Sequence, residues 1–219
     1  MWKVYRTKTF KFVLILAISF MLLIGATFLQ AFNKKTYKNV YEKTNIFQNT
    51  NYSEDDYLRE IDNYRDYLLN SNDLALTNDN RYTKDEILHM EDVRDIFNAA
   101  KIFAIVVLII AIIFILLMDK KNLKDLLKIS VLIPLIPAAL IIPAIFNFNK
   151  FWIFFHKILF RNDLWLMDPN ESLMINLLPE EIFNAIVIKI ILSFLIAWLI
   201  LMILIYALYL TRRERNEIK

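Results

Sequence analysis

The 219 residues contain no cysteine, one glycine and two histidines, and no basic run interleaved with aromatic residues of the kind a nucleic acid would need. Without thiols the chain forms no disulfide, no zinc–thiolate site and no lipid-modified cysteine. The formal net charge of +3 is spread along the chain. A nucleic-acid partner needs clustered cations to neutralise phosphates, so nucleic acid is excluded as a partner. What is abundant is apolar: 58% of residues are hydrophobic and the mean hydropathy is +0.41. That balance fits a chain embedded in a bilayer better than a soluble domain.

Four apolar runs are long enough, or nearly so, to cross a hydrocarbon layer of ~30 Å as helices of about 20 residues. Residues 12–32 and 129–149 carry no charge, 98–118 contain only Lys101, and 182–210 contain only Lys189. Both lysines read as snorkelling stems that lift an amine toward the interface. The first run exceeds the ~7–15 apolar residues of a cleaved signal peptide and lacks a small-residue cleavage site, so it reads as a retained anchor. Lysine and arginine near the runs set the orientation. Lys3, Arg6, Lys8 and Lys11 in tail 1–11, Lys120, Lys121, Lys124 and Lys128 in loop 119–128, and Arg212, Arg213, Arg215 and Lys219 in tail 211–219 place those segments in the cytoplasm. Segments 33–97 and 150–181 then face outside. The expected architecture is an all-α membrane protein, a four-transmembrane-helix bundle with a small, mainly helical extracytoplasmic cap. Both histidines, His89 and His156, fall on its outer side.

In the cap, "SEDDYLREIDNYRDYLL" opens with Ser53 and Asp56 at capping spacing and continues as an amphipathic helix, whose tyrosines suit a headgroup layer. Asn, Asp and Ser around 70–80 predict a turn. Thr83 and Glu86 in "TKDEILHMEDVRDIF" form a second capping box, opening a helix that runs on into the second apolar run. Asp85 and Asp92 stand four before and three after His89, so either carboxylate reaches the imidazole along one helical face. Such a partner sets the ring's tautomer and raises its basicity. The acids around His89 read equally as a solvated face. His89 also precedes Lys101 by twelve residues, about 18 Å of straight helix.

The second outer segment follows a run containing Pro134, Pro137 and Pro143, each removing a backbone hydrogen bond and kinking the helix. In "FWIFFHKILFRNDLWLMDP" the aromatics form an interfacial belt from which His156 emerges. Lys157 and Arg161 follow, then turn signals at Asn162-Asp163 and Asp168-Pro169. "LPEEIF" opens the fourth run, with an early proline and acids in its first turn. An interfacial histidine suits proton transfer near a lipid glycerol, or simply accompanies the belt; the residues alone leave both readings open.

Taken together, "LHMEDVR", "FHKILFRNDLWLMDP" and "LPEEIF" resemble the lipoprotein intramolecular transacylase family, four-span bacterial membrane proteins once known as a domain of unknown function. The specific motifs cover roughly residues 88–94 and 155–183, while 34–80 match nothing recognisable. The resemblance implies an acyltransferase of the bacterial cytoplasmic membrane that acts on a diacylated lipoprotein. It would move the sn-2 acyl chain of the diacylglyceryl-cysteine to that cysteine's α-amino group. His89 and His156 match the histidines to which the family would assign catalysis. Asp85, Asp92, Arg94, Lys157, Arg161, Asp163 and Trp165 are the expected supporting residues, orienting the histidines, stabilising charge or lining an acyl groove. Membrane lipid is the other expected partner; no metal, cofactor or obligatory protein partner is expected. Two alternatives stand beside this reading. One is a non-enzymatic accessory or sensor protein with a partner-binding cap, its two histidines contributing at most a weak zinc site. The other is a phospholipid acyl hydrolase or acyltransferase.

Overall fold

A computed structural model describes residues 7–44, 46–70 and 81–212. The described residues form helices and no strands: α1 Lys8–Ala31, α2 Lys34–Tyr41, α3 Ile46–Thr50, α4 Glu54–Asn70, α5 Lys84–Leu117, α6 Lys120–Ser130, α7 Leu135–Phe146, α8 Phe148–Leu159, α9 Leu173–Leu177 and α10 Glu180–Thr211. Helices α1, α5 and α10 are long and apolar enough to cross a membrane. Ile105, Ile109, Ile112 and Leu116 of α5 and Leu195, Leu199 and Ile203 of α10 are exposed. Apolar surface on that scale is unfavourable in water and is matched by lipid.

The run 129–149 departs from expectation, because it is not one helix. Helix α6 reaches Ser130, residues 131–134 form a turn, and α7 spans only 12 residues. Pro134 lies in the turn and Pro137 in the first turn of α7, where amides have no helical partner in any case. Pro143 lies inside α7 and removes a bond there. Asn147 then takes up an extended backbone and caps α8, its side chain accepting from the Lys150 N–H at 3.0 Å.

Contacts divide the chain into two compact units. The described part of the first lies within Met1–Thr27, Lys101–Ile142 and Ile190–Lys219. Its core includes Ile15, Ile18, Met118, Leu123, Leu126 and Phe194. Lys11, 1% exposed, is enclosed there with its Nζ 2.7 Å from Asp125 Oδ2 of α6. Phe10 meets Phe114 edge-on at 4.7 Å.

The second unit comprises Phe28–Ala100 and Pro143–Lys189. Helix α4 starts as its sequence predicts, with Ser53 Oγ accepting the Asp56 N–H at 3.2 Å. Tyr57, Tyr64 and Tyr67 are buried within the unit, which corrects the expectation of a headgroup layer. Their spacing puts them with Ile61 on one face of α4, and packing that face removes more apolar area from water than an interfacial position does. Tyr57 stacks on Tyr41 of α2 at 5.2 Å. Beyond Asn70, the turn expected over 70–80 lies outside the described residues, as do Lys3, Arg6, Arg213, Arg215 and Lys219.

The Lys11–Asp125 pair yields a test. Asp125→Asn leaves a buried ammonium without its countercharge, at a cost of about 3 kcal/mol. Lys11→Met removes the charge at similar volume and costs less. Thermal unfolding in detergent should therefore rank Asp125→Asn below Lys11→Met, and the reverse order contradicts this account.

Candidate active site

Helix α5 begins at a reciprocal cap. The Thr83 N–H donates to Glu86 Oε2 at 2.6 Å, and Thr83 Oγ1 accepts from the Glu86 N–H at 3.2 Å, as the capping-box spacing predicts. Glu86 is fully buried, and its other oxygen has two further donors. Ser172 Oγ and the Met174 N–H both donate to Glu86 Oε1 at 2.7 Å. Ser172 is itself the N-cap of α9, accepting from the Ile175 N–H at 3.2 Å. One carboxyl thereby joins the starts of two helices that are distant in sequence.

His89 lies three residues after Glu86 on α5, on a neighbouring face. It is buried, as is His156 on α8. The two imidazole centroids are 5.9 Å apart with planes at 29°. Aromatic rings enclose the pair. Phe160 lies 4.8 Å from His89 and 5.5 Å from His156. Trp152 meets His156 edge-on at 4.5 Å, and Trp165 lies 4.9 Å away. Trp152 stacks in turn on Phe183 at the start of α10, at 4.3 Å.

The His156 tautomer follows from one contact. His156 Nδ1 lies 2.8 Å from the Trp152 carbonyl oxygen. A carbonyl can only accept, so Nδ1 carries the proton and the neutral ring presents its lone pair at Nε2. His89 Nδ1, by contrast, is buried with no hydrogen-bond partner among the described residues. Burial pushes His89 down to about 4; the His156 charge acts in the same direction and the Asp92 charge opposes it. Burial also lowers His156, against the bond to Trp152. Both rings are therefore neutral at pH 7.

The supporting residues divide. Asp92 interacts electrostatically with His89 and accepts from Asn162 Nδ2 at 2.8 Å. Trp165, already against His156, donates its Nε1–H to the Asn162 carbonyl at 3.0 Å. Asn162 thus ties the loop after α8 to α5, a role its turn propensity did not reveal. Asp85 is exposed and makes no hydrogen bond to His89. Arg94 sits over the Tyr67 ring at 4.7 Å. Lys157, Arg161 and Asp163 are exposed. Among the described residues, no three His, Asp or Glu side chains gather as a metal site.

Residues 12–183 match the family described as lipoprotein intramolecular transacylase Lit. The chain belongs to this family. A structure of the membrane integral lipoprotein intramolecular transacylase Lit from Bacillus cereus is similar over 93% of this chain and 95% of its own, at 27% identity and a TM-score of 0.80. Two structures of that protein with one histidine replaced, by arginine or by alanine, are similar at 26% identity and TM-scores of 0.72. They cover 92% of this chain and 90% and 91% of their own. Comparison with curated protein sequences gives no match. Family membership supplies the activity class, an acyltransferase of the lipoprotein transacylase type, and the integral relative together with the apolar helices makes this a membrane protein.

Two predictions come from this geometry. Glu86→Ala orphans the Thr83 N–H, the Ser172 hydroxyl and the Met174 N–H, lowering stability by about 3 kcal/mol. Glu86→Gln costs less, but its amide must turn a donor toward one of these donors, so it still unfolds at a lower temperature than the parent. The histidines predict a pH dependence. An unfolded histidine titrates near 6.5 and His89 near 4, so within that window the unfolded chain binds more protons. Stability therefore falls as pH drops from about 6.5 to about 4. His89→Gln should flatten that slope, and an unchanged slope in the variant would place the titration elsewhere.

Proposed function

We propose that the protein moves the sn-2 acyl chain of a lipoprotein's diacylglyceryl-cysteine to the α-amino group of the same cysteine, giving a lyso-form, N-acylated lipoprotein. The observation that carries this reading is the pair of buried, neutral imidazoles 5.9 Å apart in an aromatic enclosure, on a chain of this family.

The substrate contributes much of the catalysis. Attack of the amine nitrogen on the sn-2 ester carbonyl closes a ring of about eight atoms, so proximity is built in and the enzyme need only fold the headgroup into the reactive conformer. The α-amine has a pKa near 8 and must lose a proton as it attacks. His156 Nε2, its lone pair exposed by the bond at Nδ1, takes that proton. The tetrahedral intermediate collapses with cleavage of the ester bond to the sn-2 oxygen, and the leaving oxygen gains a proton. That proton is the one His156 took from the amine, passed on directly or relayed through His89, so both rings end neutral. His89 also offers the oxyanion a hydrogen bond, and its unpartnered Nδ1 is a polar atom for which substrate provides a partner. Asp92 favours the protonated form of His89. Arg94, Lys157 and Arg161 add positive potential, Asp163 orients the loop, Trp165 lines the acyl groove, and Asp85 stays at the rim. No metal or cofactor enters these steps, and no protein other than the lipoprotein substrate takes part.

The supporting placement is a four-span topology with residues 12–32, 98–118, 129–149 and 182–210 in the bilayer of a bacterial cytoplasmic membrane, the third of them broken as described. The charge distribution puts both termini in the cytoplasm and the helical cap and the histidines on the extracytoplasmic side.

Purified protein incubated with a diacylated lipopeptide should give an N-acyl, lyso-glyceryl product of unchanged total mass. His89→Ala and His156→Ala should each lower that rate by at least about 100-fold while remaining folded in detergent. Full activity in both variants contradicts the assignment, and loss of one acyl mass would identify a hydrolase.

A further inference from the structure

Lys189 is the one charged residue in the apolar run 182–210. Its Nζ does not simply reach toward solvent, because it donates to Thr36 Oγ1 of α2 at 2.7 Å. No carboxylate among the described residues pairs with it. An ammonium has three N–H donors, so two remain.

The contact lies in a cavity of about 370 Å³ within the second unit. Thr36, Asn39 and Val40 of α2 and Lys43 just beyond it line one side; Ala185 and Lys189 of α10 line the other. Lys43, like Lys189, has no acidic partner among the described residues. Glu181 is the acid in the lining, but it stands eight residues before Lys189, about 12 Å along the helix axis. Two lysines, a threonine and an asparagine from two helices therefore border one space whose walls are mostly apolar.

We propose that this cavity seats the phosphate of a membrane phospholipid, bound by Lys43, Lys189 and Thr36 Oγ1. Charge selects a phosphate, since two cations and an O–H donor complement an anion with several acceptor oxygens. Depth selects a lipid rather than a free ion. Lys189 stands seven residues inside an apolar run, at about the depth where a headgroup meets the acyl region, and Val40 and Ala185 offer apolar walls to the glycerol. A diacylglyceryl-cysteine has no phosphate, so this ligand is distinct from the transacylation substrate. A lipid held here bridges α2 and α10 and stabilises the folded chain by mass action.

The test uses the full-length protein, purified and delipidated in a phosphate-free detergent buffer. It is titrated separately with phosphatidylglycerol, with diacylglycerol of the same acyl chains and with inorganic phosphate, and retained ligand is read by native mass spectrometry alongside the unfolding temperature. The parent should retain phosphatidylglycerol and unfold at a higher temperature with it. Lys189→Met should bind it at least about tenfold more weakly. Lys43→Ala, at an exposed position that leaves packing intact, should weaken binding in the same direction and guards against a folding artefact at Lys189. Equal retention in both variants overturns the proposal, as does equal retention of diacylglycerol. Inorganic phosphate stabilising the parent as strongly as the lipid overturns it too, reducing the cavity to a general anion site.

Discussion

The arrangement around the two histidines hangs on the buried carboxyl of Glu86. Its two oxygens accept from Thr83, Ser172 and Met174, so the start of α5 and the start of α9 share a single anchor. His89 follows Glu86 by less than one turn, and the loop from α8 that carries Phe160, Asn162 and Trp165 returns to the same anchor through Ser172. The Asp92–Asn162 bond closes this loop a second time, one turn further along α5. The bonds to Glu86 are buried or part-buried, and a buried donor left unpaired is expensive. The geometry is therefore held by the cost of breaking it as much as by the bonds themselves.

Within that frame the aromatic rings set the chemistry. Removing water from around both imidazoles disfavours their cations, and the Trp152 carbonyl fixes which nitrogen of His156 stays basic. In the proposed reaction one ring then serves as base and the other as hydrogen-bond donor, without sharing a charge. The proposed aminolysis of an ester asks for that combination, because the proton that leaves the amine must reach the departing oxygen. A solvated His–carboxylate pair would be more basic and would also admit water, the nucleophile that competes with the amine.

Much of this was legible in the sequence where the governing physics is local. Transfer from water to lipid acts residue by residue, so the runs that became α1, α5 and α10 could be read directly. The Thr83–Glu86 box and the α4 cap at Ser53 depend on neighbours three residues apart. The run 129–149 misled because hydropathy counts side chains and not the backbone, which turns at Pro134, loses a bond at Pro143 and starts a new helix at the Asn147 cap. The second half of Glu86's role was invisible, since Ser172 lies far away in sequence; only its N-cap character before "LMINL" offered a signal. Asp85 and Asp92 were equivalent by helical spacing, and a tertiary contact from Asn162 distinguishes them. The α4 tyrosines showed their helical face but not what covers it. The convergence of His89 and His156 came from a family resemblance and an inferred common side of the membrane; their stacking and enclosure are tertiary facts.

The most direct test of the account is the protonation state of the two histidines, observed by nitrogen NMR of histidine-labelled protein in detergent micelles at pH 7. With only two histidines in the chain, each gives a separate pair of ring signals. The account predicts two neutral rings, with His156 carrying its proton on Nδ1 and its lone pair on Nε2. A His156 imidazolium, or a His156 ring protonated at Nε2 alone, would contradict the assignment of that nitrogen as the base.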